Sequence, residues 1–516
     1  MRISKRGLKR TLFSIAIFIL WTSIFSIAYS QSPLYTSNQN QYFLHGLARS
    51  GYGYLNRDWL ANTLDPTPVF SALVEQTYRF LHTSGIFYIF YAFLMGIYLF
   101  SLYGIASKVF HINSSRIASF VFLALMILLH SAGLHFALSG AVNSAWIYVL
   151  EDGVADQRIL GGIFQPSTFG VLLILAIYLF LDNKTYLAAL IAALSAVIHP
   201  TYLLASGALV ISFMLIEFKE TRRVKEPLLM GLTALLPILP ILLYVWGSFS
   251  GTSPEISATA RQILVNYRIP HHAVVSQWFH SAAIMKIFLI IFCLILVRKQ
   301  RIFLVLLVSF IVAGGLTLLQ ILTNSDALAL LFPWRISIYL VPMSTSLLTA
   351  YLVSRLTSLP AMQTSGWQKF FLLASIFIIV SAVLIGGLRF IQEYQRKMQE
   401  TERSVEAYIN AHKTQQDVYL TPVKMEGFRL FSGAPVYVDF KSIPYKDTDV
   451  LEWYRRVQLA DHFYNTYNCK TLESLANDEG VTHAITPNDG LLLNCPQIEE
   501  TYHDGYYYVY KLLTGN

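Results

Sequence analysis

Charge is scarce in this chain. Only 13% of its 516 residues are Asp, Glu, Lys or Arg, against about 25% in a soluble globular domain, which excludes an ordinary water-soluble enzyme. Cysteine is scarcer still, at three residues, too few for a disulfide-built secreted scaffold. No CxxC, Walker A, GxGxxG or HExxH run occurs, so no ready-made nucleotide loop or zinc site is legible. The net charge of +8 is no argument for nucleic acid, because the basic residues lie in short clusters between apolar runs and not on one extended face.

What the chain has instead is apolar length: 55% of residues are hydrophobic. A helix needs about 20 apolar residues to cross the hydrocarbon core with its backbone satisfied internally. About eleven stretches qualify, near 11–30, 85–107, 117–133, 164–181, 186–198, 202–218, 227–247, 282–297, 302–322, 334–353 and 370–388. The fifth and sixth are short and joined by His199-Pro200-Thr201, as in a tight hairpin or one broken element. Up to residue 390 there are 26 basic and 12 acidic residues (+14), and from 391 onward 12 basic and 18 acidic (−6). The chain therefore reads as a polytopic α-helical membrane domain over 1–390 and a small soluble α/β domain over 391–516.

Lys and Arg accumulate on cytoplasmic loops. With the N-terminus inside, seventeen of them, from Arg2 and Lys9 to Lys369, fall on cytoplasmic segments and seven on the opposite loops. This predicts a plasma (inner) membrane protein with a cytoplasmic N-terminus and an extracytoplasmic, periplasmic C-terminal domain. Basic residues 2–10 followed by an apolar run and Ala28-Tyr29-Ser30 also resemble a signal peptide, but the run exceeds the usual 7 to 15 residues, which favours an uncleaved first helix. Both readings put Gln31 outside.

Three long outer loops, 31–84, 134–163 and 248–281, carry most of the candidate chemistry, since eight of the twelve acidic residues before residue 390 lie outside. In the first, Asp58 sits between Arg57 and Trp59, as suits a carboxylate held at the membrane interface, and is either a catalytic or ligand-binding group or a loop-fixing residue, while Asp65 before Pro66 is either a ligand-binding group or a turn and helix cap. Apolar spacing predicts an interfacial helix over 69–81. In the second, Glu151, Asp152 and Asp156 suit a divalent cation (Mg or Mn) or sugar hydroxyls, the alternative being a solvated turn with an Asp156/Arg158 pair. In the third, Arg268, His271 and His272 form a compact group suited to a lipid-linked phosphate. Arg335, after Phe332-Pro333-Trp334, is a second phosphate candidate or an interfacial anchor. Cys293 lies in a span as an apolar filler, whereas Cys469 and Cys495 share the outer tail as a candidate disulfide. In that tail, β-rich runs are expected near 418–420, 436–440, 482–486 and 506–512, with helices over 391–413, 448–462 and 471–477.

Together the inside N-terminus, the long first outer loop bearing Asp58, about eleven spans and the outer C-terminal domain resemble the GT-C superfamily of polytopic glycosyltransferases. The run Phe428-Arg-Leu-Phe-Ser-Gly-Ala-Pro-Val-Tyr-Val-Asp439 through Glu452-Trp-Tyr-Arg455 also looks like that of uncharacterised bacterial multi-pass proteins of this build. The Trp-Trp-Asp-Tyr-Gly motif of oligosaccharyltransferases and the adjacent acidic pair of protein mannosyltransferases are both lacking. The resemblance implies sugar transfer from a polyprenyl-phosphate donor at the outer membrane face, with membrane lipid as partner. Asp58 would act as general base; Arg268, His271, His272, Arg335, Arg158 and Asp65 would bind substrate. The alternatives are a transporter or flippase of a lipid-linked or anionic solute, and a non-catalytic envelope assembly partner.

Overall fold

The computed structural model describes residues 5–490 and 493–513; Arg2 lies outside them. Contacts divide the chain into two compact units, one of residues 1–32, 86–243 and 268–392 and one of 33–85, 244–267 and 393–516. They are called here the helical unit and the mixed unit. The tail is thus not self-contained, because it shares its unit with most of the first outer loop and part of the third.

The protein is a multi-pass membrane protein. Among the described residues seven helices are long and apolar enough to cross a bilayer, or eight if the bent pair Arg116–Leu129 and Ala132–Ser139 forms one span. The expected count of eleven is not reached. Three of the anticipated stretches form the shorter apolar helices Pro166–Leu181, Thr185–Ile198 and Ser281–Leu296. The segment Asp326–Ser358 is 78% buried over its apolar window, against 17% for Thr11–Tyr29 and 22% for Ser365–Met398. It is the central span of the helical unit, and the other two carry large apolar side chains such as Leu20 and Phe377 outward, as a lipid-facing helix does. Close packing constrains Gly386, where an added Cβ would meet the Ile27 carbonyl oxygen at 2.1 Å.

The segment 148–165 departs from this regularity. It is largely buried yet carries no long helix, and Ala155, Asp156, Gly161 and Gly162 all have positive φ. Irregular backbone in a membrane protein persists only where protein groups satisfy it. They do: Val154 N donates to Ser337 Oγ at 2.7 Å, Thr345 Oγ1 to Leu150 O at 2.7 Å and Lys286 Nζ to Gly153 O at 2.9 Å. The central span and the helix Ser281–Leu296 therefore pin the loop from three side chains.

The mixed unit holds a four-stranded sheet, β1 (Tyr419–Leu420), β2 (His483–Pro487), β3 (Ile498–His503) and β4 (Tyr507–Leu512), in the order β1-β2-β4-β3. β1 pairs with β2 in parallel, and the other pairs are antiparallel, with Ile485 opposite Val509 and Ile498 opposite Leu512. The expected strand over 436–440 is reduced to a single bridge from Val436 to Tyr419, made by Tyr419 N donating to Pro435 O and Tyr437 N to Tyr419 O. The expected charged helix is broken into the end of Ser365–Met398 and Arg403–His412. Val405, Ile409, Phe428, Ile485 and Val509 form the core. The first loop docks on the tail's backbone, Tyr54 N donating to Gly433 O at 2.8 Å. A Cβ on Gly53 would lie 2.2 Å from that oxygen, so only glycine fits there. Cys469 and Cys495 are joined by a disulfide, and Cys293 is free and buried.

Candidate functional site

The structure distributes the sequence candidates over both units. Asp58 and Asp65 belong to the mixed unit; Glu151, Asp152, Asp156, Arg158, Arg268, His271, His272 and Arg335 belong to the helical unit.

Asp58 is fully buried. Its Oδ1 accepts from the N–H groups of Leu60 at 2.9 Å and Ala61 at 3.3 Å, and its Oδ2 from Arg429 Nε at 2.6 Å and Val436 N at 2.9 Å. A carboxylate offers about four acceptor positions, and all four are occupied. Arg429 also contacts Asp439, which completes an acid–base–acid triad with every member at most 3% exposed. That geometry assigns Asp58 to holding the first loop on the tail and leaves no lone pair for an acceptor hydroxyl. Asp65 takes the turn role. Its Oδ1 accepts from Thr67 N at 2.9 Å and Ser71 Oγ at 3.1 Å, ahead of the helix Pro68–Leu81, and its Oδ2 pairs with Arg49 at 3.1 Å.

The loop 148–165 is different in kind. Glu151 is 3% exposed. Its Oε1 receives the Tyr29 hydroxyl at 3.4 Å, while its Oε2 lies 3.6 Å from His135 Nε2 and 3.9 Å from His130 Nε2 without a hydrogen bond. Burial opposes ionisation of Glu151, but the charge of His135 close by, with His130 and Arg158 behind it, outweighs burial and holds the carboxyl below its usual range. The adjacent Asp152 goes the other way: burial pushes it up to about 7, only partly countered by Arg158. Arg158 Nε pairs with Asp152 at 3.0 Å, its guanidinium lies over the Tyr148 ring, and 43% of its side chain remains exposed. The expected Asp156/Arg158 pair is therefore replaced by Asp152/Arg158.

Two further side chains, Arg335 and His272, meet the same loop. Arg335 donates to Gln157 Oε1 and Thr201 Oγ1, and its NH2 lies 2.9 Å from His199 Nε2. Since Arg carries donors alone, His199 Nε2 accepts and its ring is neutral. His272 Nδ1 donates to Ala155 O at 2.8 Å, and burial, together with His271, brings it down to about 3; it acts as a neutral ring. His271 stacks near His272 at 4.1 Å between centroids, and Arg268 closes a π-helical turn, Ile263–Arg268. Among the described residues no three His, Cys, Asp or Glu side chains converge as a cation site requires. Glu151 turns to histidines and Asp152 to Arg158, so the proposed Glu151/Asp152/Asp156 metal set does not assemble.

Sequence reading passed over Lys286, His130, His135, Tyr29, Gln157 and Arg429 as site residues. Lys286 carried a usable signal, an ionisable group alone in an apolar run; it is 2% exposed. The others are brought in by tertiary structure, Tyr29 from 122 residues away.

Residues 400–460 match the model of a domain of unknown function, DUF6798, a segment that holds Arg429 and Asp439. No curated protein matches the chain.

Proposed function

We propose that the protein is a membrane glycosyltransferase that moves a sugar from a polyprenyl-phosphate donor to an acceptor hydroxyl at the outer membrane face. The observation that carries this reading is the buried loop 148–165, in which an ionised carboxylate with one oxygen left without a hydrogen bond stands two carboxyl positions from a partly exposed arginine. Glu151, backed by His135, takes the acceptor proton as the acceptor oxygen bonds to the anomeric carbon. The bond from that carbon to the phosphate oxygen breaks, the electron pair leaves with the phosphate, and Arg158 stabilises the anion. Single displacement inverts the anomeric centre. The base assignment thus moves from Asp58 to Glu151. The bias of Lys and Arg in the sequence supports a cytoplasmic N-terminus, and the Cys469–Cys495 disulfide supports an oxidising compartment for the tail.

The test is transfer from a radiolabelled polyprenyl-phosphate sugar into membrane acceptors by Glu151→Gln, an isosteric change that removes the base. A drop of about 10²-fold or more is expected at unchanged protein level. Wild-type transfer by a folded Glu151→Gln variant would falsify the assignment.

A second reading, transport of a lipid-linked or anionic solute, is favoured by one observation. His130 and Lys286 are ionisable groups buried in apolar helices beside the same loop, as in proton-coupled carriers. Uptake of labelled lipid-linked sugar into proteoliposomes without covalent transfer would select it.

A further inference from the structure

The mixed unit contains a polar cavity of about 360 Å³ between residues 36–40, 397–406 and 424–427, within the size range of small-molecule sites. Its wall comes within one charge of balance, Lys397, Arg403 and Lys424 facing Glu400, Glu402, Glu406 and Glu426. Lys397 Nζ pairs with Glu400 at 2.9 Å, Arg403 with the same carboxylate at 3.0 Å, and Arg403 with Glu406 at 2.5 Å. A strongly anionic or cationic ligand would have to compete with these pairs.

Four lining residues remain short of hydrogen-bond partners: Thr36 at Oγ1, Arg403 at Nε and Nη1, Asn40 and Glu406. Asn40 is 3% exposed and its Oδ1 has no hydrogen bond; Glu406 is 2% exposed and neither carboxylate oxygen has one, its contact with Arg403 being an ion pair out of hydrogen-bond alignment. Buried polar atoms in folded proteins are almost always satisfied. Asn40 and Glu406 present acceptors, Arg403 presents donors and the Thr36 hydroxyl can do either, so what completes them must both donate and accept, and the nearly balanced wall asks that it bring little net charge. Hydroxyl groups meet both conditions and can accept in turn from Arg403.

We infer that this cavity binds a neutral polyhydroxylated ligand of the size of one sugar or cyclitol ring, its hydroxyls donating to Asn40 and Glu406. The inference does not depend on the transferase reading. The nearby Phe431 ring is covered by Arg403 at 3.5 Å and Lys397 at 5.3 Å, so recognition runs through hydrogen bonds and not ring stacking.

The experiment is saturation-transfer NMR on the intact protein in detergent micelles, with myo-inositol, glucose and mannose as neutral probes and inorganic phosphate and spermidine as charged ones. Saturable binding of at least one neutral probe is expected at roughly millimolar Kd, weakened at least about tenfold by Asn40→Leu. Lys424→Trp places an indole at an exposed rim position and is expected to weaken it as much without lowering the melting temperature; it carries the test if Asn40→Leu does not fold. No saturable neutral binding, wild-type binding by Lys424→Trp, or preference for phosphate or spermidine would overturn the inference.

Discussion

Each unit buries a group of acids with an arginine, and the two groups differ in how completely they are answered. In the mixed unit, Asp58 accepts four hydrogen bonds and shares Arg429 with Asp439. In the helical unit, Glu151 keeps one oxygen without a hydrogen bond, its neighbour Asp152 is shifted in the opposite direction, and Arg158 stays partly in reach of solvent. A saturated buried ion group fixes structure, since nothing can approach it without breaking a bond already made. An under-satisfied one is held in a state that a reacting group can improve, which is what differential binding of a transition state requires. The lesson is that burial and charge alone did not separate the two groups; the count of bonds at each carboxylate did.

The largest effect expected from breaking this contrast is at Arg429. Arg429→Met leaves Asp58 and Asp439 buried without their cation, which costs about 3–5 kcal/mol. Denaturant unfolding monitored by hydrogen exchange over 419–440 should read that loss, and a change below about 1 kcal/mol would mean the triad is not structural. Lys286→Met should behave in the reverse way. Replacing Lys286 by an apolar side chain of similar length leaves the Gly153 carbonyl without its donor but no buried acid without its bonded cation, a smaller cost of about 1–3 kcal/mol. Losing the tether to Gly153 O lets the loop drift, however, and misplacement of a catalytic group costs rate steeply, here about tenfold in sugar transfer. If Lys286→Met unfolds the protein instead, the loop is as structural as the triad and the contrast fails.

The sequence made the membrane class legible because apolar runs report their own solvent, and ten of the eleven expected stretches overlap helices that are individually apolar. Span number was not legible, since whether a run of 14 to 16 residues crosses alone depends on what flanks and covers it. Glu151, Asp152 and Arg158 could be singled out as a charged cluster in an otherwise apolar chain. Their partners could not, because the pairing of Asp152 with Arg158 in place of Asp156 turns on a backbone with positive φ at Ala155 and Asp156. Asp58 is the plainest case: its partner Arg429 lies 371 residues later, and no local pattern distinguishes a base from an anchor.

The smallest effect, and the finest test of the contrast, is the pH dependence of stability. Asp152 has its folded value raised to about 7 by burial, so its contribution is fully present below the ordinary carboxylate value of about 4 and is lost as pH rises through about 7. In the mixed unit, burial would raise Asp447, but hydrogen bonds from Thr252 N, Ser257 Oγ, Thr252 Oγ1 and Thr448 N outweigh it and hold that carboxyl well below its usual range. Its contribution is present above the ordinary value and is lost as pH falls below it. Asp152→Asn should therefore flatten the melting-temperature profile between about pH 4 and 7, whereas Asp447→Asn should flatten it only on the acid side of about pH 4. Identical profiles for the two variants would show that the acids of the two units are held alike, and the distinction between anchoring and poised carboxylates would lose its electrostatic basis.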